Sequence, residues 1–378
     1  MKTRTNAIAT LCLSLSVALG AGCCTAAAQG GDLPDREIVT TPAPGHGIVD
    51  LAVDPSGTRV AVAANHGVVA PPAGQGGVWI PADFTVELRA VADGALEGRV
   101  TCPGGMQLCG VAFSPDGRAL ATASADDRVR LWSVPEGRPI RELSGAPSSA
   151  EIVRRGGRSP FATAVAFDPT GERLAATFSK GRLVVWAVDD GREILRLEAP
   201  EGGGLRCVAF SPDGRHIAAS DRWPGVMGRT KPGAVYVWSL REEKPLRTLR
   251  PPAPPPGRVA SQVDSLAFSP DGKTLAVGYS DLDGWVGLWS VETGLLGRRL
   301  EHESLVHDVA FSPDGSSVAA SSVVGGVRVW SAADGSLRRT LAVAGGKRRL
   351  VRCSTVRFAP DGKTLVGEAD GKVLFWGL

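Results

Sequence analysis

The chain has few of the features that mark a helical, membrane-spanning or strongly charged protein. Beyond the N-terminal segment no apolar run is long enough to cross a bilayer, and the apolar residues come in short alternating bursts rather than at helical spacing. Its 42 Lys and Arg residues nearly balance its 39 Asp and Glu residues, so net charge gives no argument for nucleic acid or a membrane. The 48 Gly and 27 Pro residues favour a protein of many short strands and turns.

The motifs of common catalytic and metal-binding sites are also missing. None of the five His residues lies in an HExxH pattern, and the chain has no Gly-x-Ser-x-Gly elbow, phosphate-binding loop or CxxC pair. His307 and Asp308 are adjacent on a predicted strand, where alternation sends their side chains to opposite faces. The Asp-Gly pairs suit tight turns and lack the spacing of a calcium-binding loop. The sequence therefore predicts a non-catalytic protein with no metal and no cofactor.

What the chain does have is a Pro-x-Gly turn that returns seven times, each time before a short apolar strand. Pro presets the second turn position, and Gly accepts the positive φ that follows. In the second repeat we predict strands at residues 110–113, 119–124, 129–132 and 140–143. Units this small cannot bury their own apolar faces and must stack in an array. The seven turns are Pro55-Ser56-Gly57, Pro115-Asp116-Gly117, Pro169-Thr170-Gly171, Pro212-Asp213-Gly214, Pro270-Asp271-Gly272, Pro313-Asp314-Gly315 and Pro360-Asp361-Gly362.

These repeats resemble WD40 repeats over residues 36–378. Residues 111–117, 208–214 and 309–315 all read Val-Ala-Phe-Ser-Pro-Asp-Gly, like the first turn of that family's repeats. The resemblance implies an all-β, seven-bladed β-propeller of four-stranded antiparallel blades. The last repeat ends after its third strand, so we expect residues 36–40 to supply the missing strand and close the ring. Third strands end in Trp132, Trp186, Trp238, Trp289, Trp330 and Trp376, and residues 83–89 follow the same pattern with Arg89 in the Trp place.

The chain departs from the family in the residues of a buried hydrogen-bond network. Many WD40 repeats join a His, a turn Asp and the strand Trp; here Asp126, Asp283 and Asp370 match the Asp, and His302 matches the His. No repeat carries all three in register. We therefore expect these blades to depend mainly on apolar packing, with each Trp as a structural residue.

The N-terminus predicts export. Lys2 and Arg4 precede an apolar run at residues 7–19, and Ala28 ends a small-x-small cleavage site, so residues 1–28 form a candidate signal peptide. A competing interpretation takes residues 1–22 as a lipoprotein signal, with Cys23 lipidated after cleavage. Residues 29–35 would be a short tether before the propeller. The expected location is periplasmic, cell-envelope or extracellular, either as a soluble protein or with a lipid anchor.

Export would place the remaining cysteines in an oxidising compartment, where disulfides can form. Cys102 and Cys109 flank a flexible Pro-Gly-Gly stretch, which allows a small disulfide loop. Cys207 and Cys353 lie on or beside predicted inner strands, where buried thiols are an alternative to bonded ones.

The long insertions of the repeats carry the candidate functional residues. In a propeller of this type, the connections between the second and third strands and those between blades emerge on one face. Insertions at residues 65–82, 146–160, 221–232, 251–262 and 345–350 fall there, and long loops on a rigid scaffold commonly carry recognition. The bland alternative is that their basic residues only maintain solubility. The candidate residues are Arg154, Arg155, Arg158, Arg222, Arg229, Lys231, Lys347, Arg348, Arg349, Trp79, Trp223 and Trp285.

Arg and Trp together suit an acidic partner, because guanidinium groups bind carboxylates or phosphates and stack on aromatic rings. The sequence therefore favours an exported, non-catalytic scaffold that binds a protein or an acidic polymer. Nucleic acid is disfavoured by export, by near-neutral charge and by the lack of an aromatic RNA-binding motif. A membrane would be contacted only through a lipid on Cys23. The rival hypothesis is a propeller enzyme, either a hydrolase or a cofactor-dependent oxidoreductase, with its site at the central channel.

Overall fold

A computed structural model describes the chain over residues 36–39, 47–69, 80–103, 107–145, 161–222, 232–253, 260–281, 283–323, 326–342, 353–369 and 371–378. Within these ranges 28 strands form seven four-stranded antiparallel sheets. The sheets are the blades of a seven-bladed β-propeller, which confirms the predicted fold. Over the same ranges, no helix of the length and apolarity needed to cross a membrane occurs. The predicted signal segments and tether, residues 1–35 with Cys23, lie outside the described residues.

The first strand of the chain is the outer strand of the last blade, and every other blade uses four consecutive strands. The strands are β1 (Arg36–Val39); in blade 1 β2 (Gly47–Val53), β3 (Arg59–Val69), β4 (Ile80–Ala90) and β5 (Leu96–Thr101); in blade 2 β6 (Leu108–Phe113), β7 (Ala119–Ser124), β8 (Arg128–Ser133) and β9 (Pro139–Ser144); in blade 3 β10 (Ala162–Phe167), β11 (Arg173–Phe178), β12 (Arg182–Ala187) and β13 (Glu193–Glu198); in blade 4 β14 (Gly204–Phe210), β15 (His216–Arg222), β16 (Val235–Ser239) and β17 (Arg247–Leu249); in blade 5 β18 (Val263–Phe268), β19 (Thr274–Tyr279), β20 (Trp285–Ser290) and β21 (Leu296–Glu301); in blade 6 β22 (Val306–Phe311), β23 (Ser317–Ser322), β24 (Val327–Ser331) and β25 (Leu337–Leu341); and in blade 7 β26 (Cys353–Phe358), β27 (Thr364–Ala369) and β28 (Lys372–Gly377), with β1 outermost.

Ring closure follows the predicted arrangement. Strand β1 pairs antiparallel with β28, and Arg36 lies opposite Phe375 in the register. The Arg36 guanidinium carbon lies 4.4 Å from the centre of the Phe375 ring, and Lys372 Nζ lies 2.7 Å from Glu37 Oε2. Arg36 Nη1 also donates to Ala92 O of blade 1. The N-terminal strand thus joins the last blade to the first.

The Pro-x-Gly turns cover one face of the ring, called the turn face below. Their glycines have φ between 64° and 75°, a conformation that L side chains rarely adopt. Each glycine also lies against the proline of the preceding blade's turn; a Cβ on Gly57 would be 3.2 Å from Pro360 Cδ across the closing seam. The same short turn therefore sets both the hairpin and the contact between neighbouring blades.

The apolar core lies between blades rather than within them. One cluster, for example, joins Phe84 and Leu88 of blade 1 to Leu120 and Trp132 of blade 2. The innermost strands contact their neighbours around the whole ring, including β26 with β2. All six third-strand Trp residues are buried, as a structural role predicts.

Strand positions agree closely with the sequence prediction, with one clear exception. Strand β7 has the predicted bounds, β6 begins two residues earlier than predicted, and β8 and β9 are one residue longer at each end. In blade 1, however, the predicted insertion at residues 65–82 is partly strand. The β3–β4 ladder continues to the pair Val69 and Ile80, so both ends of that predicted loop are strand.

Candidate functional site

The connections between second and third strands and those between blades lie at the end of the blades opposite the turn face, called the insertion face below. The described strand ends that flank the long insertions lie at this end of the blades. Arg222 is the last residue of β15, and nothing is described of its side chain. Most other predicted contact residues lie outside the described residues, namely Trp79, Arg154, Arg155, Arg158, Trp223, Arg229, Lys231, Lys347, Arg348 and Arg349.

Trp285 is not a surface contact residue, and its prediction as one was wrong. It is the first residue of β20, only 1% exposed, and its ring stacks on Tyr279 with 4.0 Å between centroids. Its indole Nε1 donates to Asp281 Oδ2 at 3.1 Å, and the Arg299 guanidinium lies 4.5 Å from the centre of its ring. The Trp285 side chain is therefore packed against other residues of blade 5.

The structure also lacks the predicted disulfide, since Cys102 and Cys109 are both free thiols, as are Cys207 and Cys353. Cys102 is buried between blades 1 and 2, where its Sγ lies 3.9 Å from Thr122 Oγ1. Burial raises the pKa of the Cys102 thiol to about 11. Cys109 is the extra residue where the register of β6 shifts between Leu108 and Gly110. Its Sγ lies 3.8 Å from Gln107 O, so the two thiols have different partners.

The ends of the insertion between blades 2 and 3 are firmly held. Gly145, directly before it, accepts hydrogen bonds from Arg182 Nη1 at 2.9 Å and from Arg196 Nη1 at 2.7 Å. Phe161, directly after it, donates its backbone N–H to Ser179 Oγ at 3.1 Å. All three of these side chains belong to blade 3. The residues on both sides of the segment that carries Arg154, Arg155 and Arg158 are thus bound to blade 3.

The two ends of the blade 4 insertion lie next to each other, and they also lie next to the end of the insertion before blade 5. In blade 4, Asp221 accepts from the backbone N–H of Ala234 at 2.6 Å and from the Tyr236 hydroxyl at 3.0 Å. Burial and the Asp221 carboxylate raise the pKa of Tyr236, which keeps that hydroxyl protonated. Gly233 donates to Ser261 O at 2.8 Å, which joins the end of the blade 4 insertion to the start of blade 5. The insertion face is therefore braced across this seam as well.

Charges near the insertions are largely compensated within the described residues. Arg130 is buried, with 2.6 Å to Asp126 Oδ2 and 2.9 Å to Glu142 Oε2. Arg250 pairs with Glu201, another contact on this face. Arg130 and Arg250 are thus neutralised by neighbouring carboxylates, so a basic patch on this face depends on the basic residues of the insertions.

Near the insertion face, each innermost strand has a shift in its register against the second strand. A bulge of this kind turns a side chain away from strict alternation, and bulges often lie beside functional sites. This ring of bulges was missed by the sequence reasoning. The residues at the shifts are Val49, Cys109, Thr163, Arg206, Cys207, Asp264, His307 and Ser354.

Blades 4 to 6 place three charged or titratable side chains in contact at these bulges. Arg206 Nε lies 3.1 Å from Asp264 Oδ1, and His307 Nδ1 lies 3.8 Å from Asp264 Oδ2. Asp308, by contrast, faces Ser265 and Arg357, so His307 and Asp308 diverge as predicted. Within the described ranges, no group of three His, Cys, Asp or Glu side chains could hold a metal ion.

The Trp residues retain only parts of a polar network. Trp132 Nε1 donates to Thr122 Oγ1 at 3.0 Å, whereas Trp238 Nε1 has no hydrogen-bond partner within the described part of the chain. His302 accepts from the Glu303 backbone N–H at 3.0 Å and meets Trp330 edge-on, with 5.7 Å between ring centres. Burial, followed by the nearby Arg328 charge, lowers the pKa of His302 to about 3. His302 is thus a neutral core residue.

Comparison with known proteins agrees with this architecture. The family model of the WD domain, G-beta repeat, matches residues 99–133, 191–223, 244–290 and 295–331. The chain contains WD40 repeats. Other repeats in the ring have the same strand order and turn geometry although that model does not match them.

The chain is also similar to curated proteins with such repeats. It is 31% identical over 204 residues to the WD repeat-containing protein VIP3 of Arabidopsis thaliana, covering 51% of this chain and 56% of that protein. It is 25% identical over 183 residues to the small ribosomal subunit protein RACK1y of Oryza sativa subsp. japonica, covering 48% and 47%. It is 28% identical over 181 residues to the protein LST8 homolog of Drosophila melanogaster, covering 48% and 50%. The chain thus spans about half the length of the curated relatives it matches.

Proposed function

We propose that this protein is an exported, non-catalytic interaction scaffold that binds an acidic partner through its insertion face. The observation that supports the proposal is the strand topology, in which the residues that flank the long insertions lie at one end of the blades of a closed ring and are held by hydrogen bonds such as those to Gly145 and Asp221. A rigid base limits the ordering cost that long loops pay on binding. The partner is a protein with an acidic surface, or an acidic polymer.

The test is a charge reversal on the insertions, with Arg154, Arg155, Lys347 and Arg348 all changed to Glu. We expect tagged wild-type protein to capture a partner from an envelope extract of the native host, and the reversed variant to lose it at an unchanged melting temperature. Capture that persists in the folded variant would contradict the basic insertion face. Protease treatment of the captured material distinguishes a protein partner from an acidic polymer.

A matched control changes the same number of charges on the turn face. Arg118, Arg138, Arg215 and Lys273 are exposed at or beside the short turns there. Their change to Glu alters the net charge equally, so it should leave capture intact if the insertion face binds. Equal loss of capture in both variants would mean that net charge, rather than one face, governs the interaction.

The rival hypothesis of a propeller enzyme depends on the bulge ring. His307 beside Asp264 is the one pair there that resembles an acid-base unit. A purified protein that carries a bound metal or cofactor, seen by elemental analysis and absorption spectroscopy, would favour that rival. Loss of a measured hydrolytic or redox activity in His307→Ala, with partner capture retained, would establish it.

A further inference from the structure

Blade 7 differs from the other blades in the residue type at one position of its innermost strand. In the first strand of each other blade, the residue three places before the proline of the Pro-x-Gly turn is Ala, whereas blade 7 has Arg357. Arg357 lies on β26 and its side chain is 33% exposed, despite the innermost position of that strand. The six alanines are Ala52, Ala112, Ala166, Ala209, Ala267 and Ala310.

The guanidinium of Arg357 is held between carboxylates of the two neighbouring blades. Its Nη1 donates to Asp308 Oδ2 of blade 6, and its Nη2 lies 3.2 Å from Asp50 Oδ1 of blade 1. Charge-assisted bonds of this kind are stronger than neutral ones, and the planar fork fixes their direction. Arg357 thus crosses the seam at which the first and last blades meet.

Both carboxylates extend the connection to further blades. Asp308 also accepts from Ser265 Oγ of blade 5 at 2.6 Å and from the Val356 backbone N–H of blade 7 at 3.0 Å. Asp50 accepts from the Val111 backbone N–H of blade 2 at 3.0 Å. A continuous polar chain therefore runs through blades 5, 6, 7, 1 and 2, and the closing seam lies inside it.

We propose that Arg357, with Asp50 and Asp308, is an electrostatic latch that keeps the ring closed from the inside. It acts at the same seam as β1, whose Arg36 donates to Ala92 O on the outside. At the closing seam the innermost strands β26 and β2 are far apart in the sequence, and these side-chain contacts add to the apolar packing between blades 7 and 1. With two carboxylates on one guanidinium, the latch is not a docking point for an anion.

The test is native-state hydrogen exchange on Arg357→Ala, which gives blade 7 the residue that the other blades have. We expect amides of the β1–β28 and β26–β27 ladders to exchange about tenfold faster, while those of blades 3 and 4 keep their wild-type rates. Asp50→Asn keeps the size of the side chain and removes its charge. It should open the same seam to a smaller extent, and it tests the proposal if Arg357→Ala does not fold.

The control is an ion pair of the same residue types inside one blade. Arg130→Ala breaks the contact with Asp126 in blade 2 and should leave exchange at the closing seam unchanged. Faster exchange confined to blades 7 and 1 in the Arg357 or Asp50 variant supports the latch. Exchange that rises equally in all blades, or does not rise at the closing seam, overturns it.

Discussion

Asp127 is the non-glycine residue with positive φ within the described ranges, and its replacement by Gly should stabilise the protein. It has φ 68° in the turn before β8, where the equivalent turns have Gly181, Gly284, Gly326 and Gly371, all with positive φ. Its side chain is only 2% exposed, and its Oδ1 has no hydrogen-bond partner among the described residues. The backbone of Asp127 is therefore strained, and its carboxylate is poorly solvated.

The expected gain combines two terms against one cost. A left-handed L residue costs about 1 to 2 kcal/mol, less for Asp than for most residues. A buried carboxylate oxygen without a partner costs about 1 to 3 kcal/mol. Greater chain entropy of Gly in the unfolded state offsets about 0.5 to 1 kcal/mol. The net increase in the free energy of unfolding for Asp127→Gly should be about 1 to 3 kcal/mol.

The pH dependence separates the two favourable terms. Burial raises the pKa of Asp127 to about 6, against the opposing charge of Arg128. Because the folded pKa lies above the unfolded one, ionisation of Asp127 costs stability above pH 6, and this cost disappears below about pH 4. The gain from Asp127→Gly should thus be larger at pH 8 than at pH 4, whereas Asp127→Asn should recover only the pH-dependent part.

The assay is guanidinium unfolding followed by Trp fluorescence, with midpoint and slope compared at both pH values. Asp126→Gly is the control, because Asp126 is bound to Arg130 and its loss should destabilise the protein. An Asp127→Gly variant no more stable than wild type at pH 8 would refute the reasoning from strain and burial.

Two further predictions concern the remnants of the polar network. Thr122→Val removes the acceptor of Trp132 Nε1 and should cost about 1 to 3 kcal/mol in denaturant unfolding, while Thr122→Ser keeps the hydroxyl and should cost less; equal costs would show that the hydrogen bond is not the cause. His302→Gln tests the buried imidazole: since burial lowers the folded pKa of His302 to about 3, wild type should lose stability as pH falls below 6.5, and the variant should lose less between pH 7.5 and 4.5. A parallel decline in both proteins would place the acid sensitivity elsewhere.

The turns explain why so much of the fold could be predicted. A Pro-x-Gly sequence determines the backbone geometry of its turn. Gly57 and its six counterparts therefore predicted the hairpins and their number from the sequence alone. The closure of the ring by β1 was predicted because the seventh repeat ends after its third strand, and β1 pairs with β28 as expected. Short-range rules suffice where the local chain determines the conformation.

The site was harder to predict because its contacts cross blades. Alternation placed His307 and Asp308 on opposite faces, but only the bulge at β22 brings His307 towards Asp264 of the neighbouring blade. Trp285 was grouped with the loop residues, whereas the fold makes it the first residue of β20, where it is buried. A bulge or a strand start shifts a side chain by one position, and one position exchanges surface for core.

The polar contacts between the blades lie where apolar packing contributes the least buried area. At the inner strands the repeated Ala contributes little buried area, so the seams there are bridged by Arg357 and by the Arg206 and Asp264 pair. At the outer strands, guanidinium groups again span the seams: Arg141 donates to Asp190 O of the next blade at 2.8 Å, and Arg339 donates to Gly377 O at 2.6 Å. Because directional bonds resist sliding and rotation more than apolar contact does, the blades hold a fixed orientation. A binding face composed of segments from several blades requires that fixed orientation, because a site is precise only when the elements that support it are rigid.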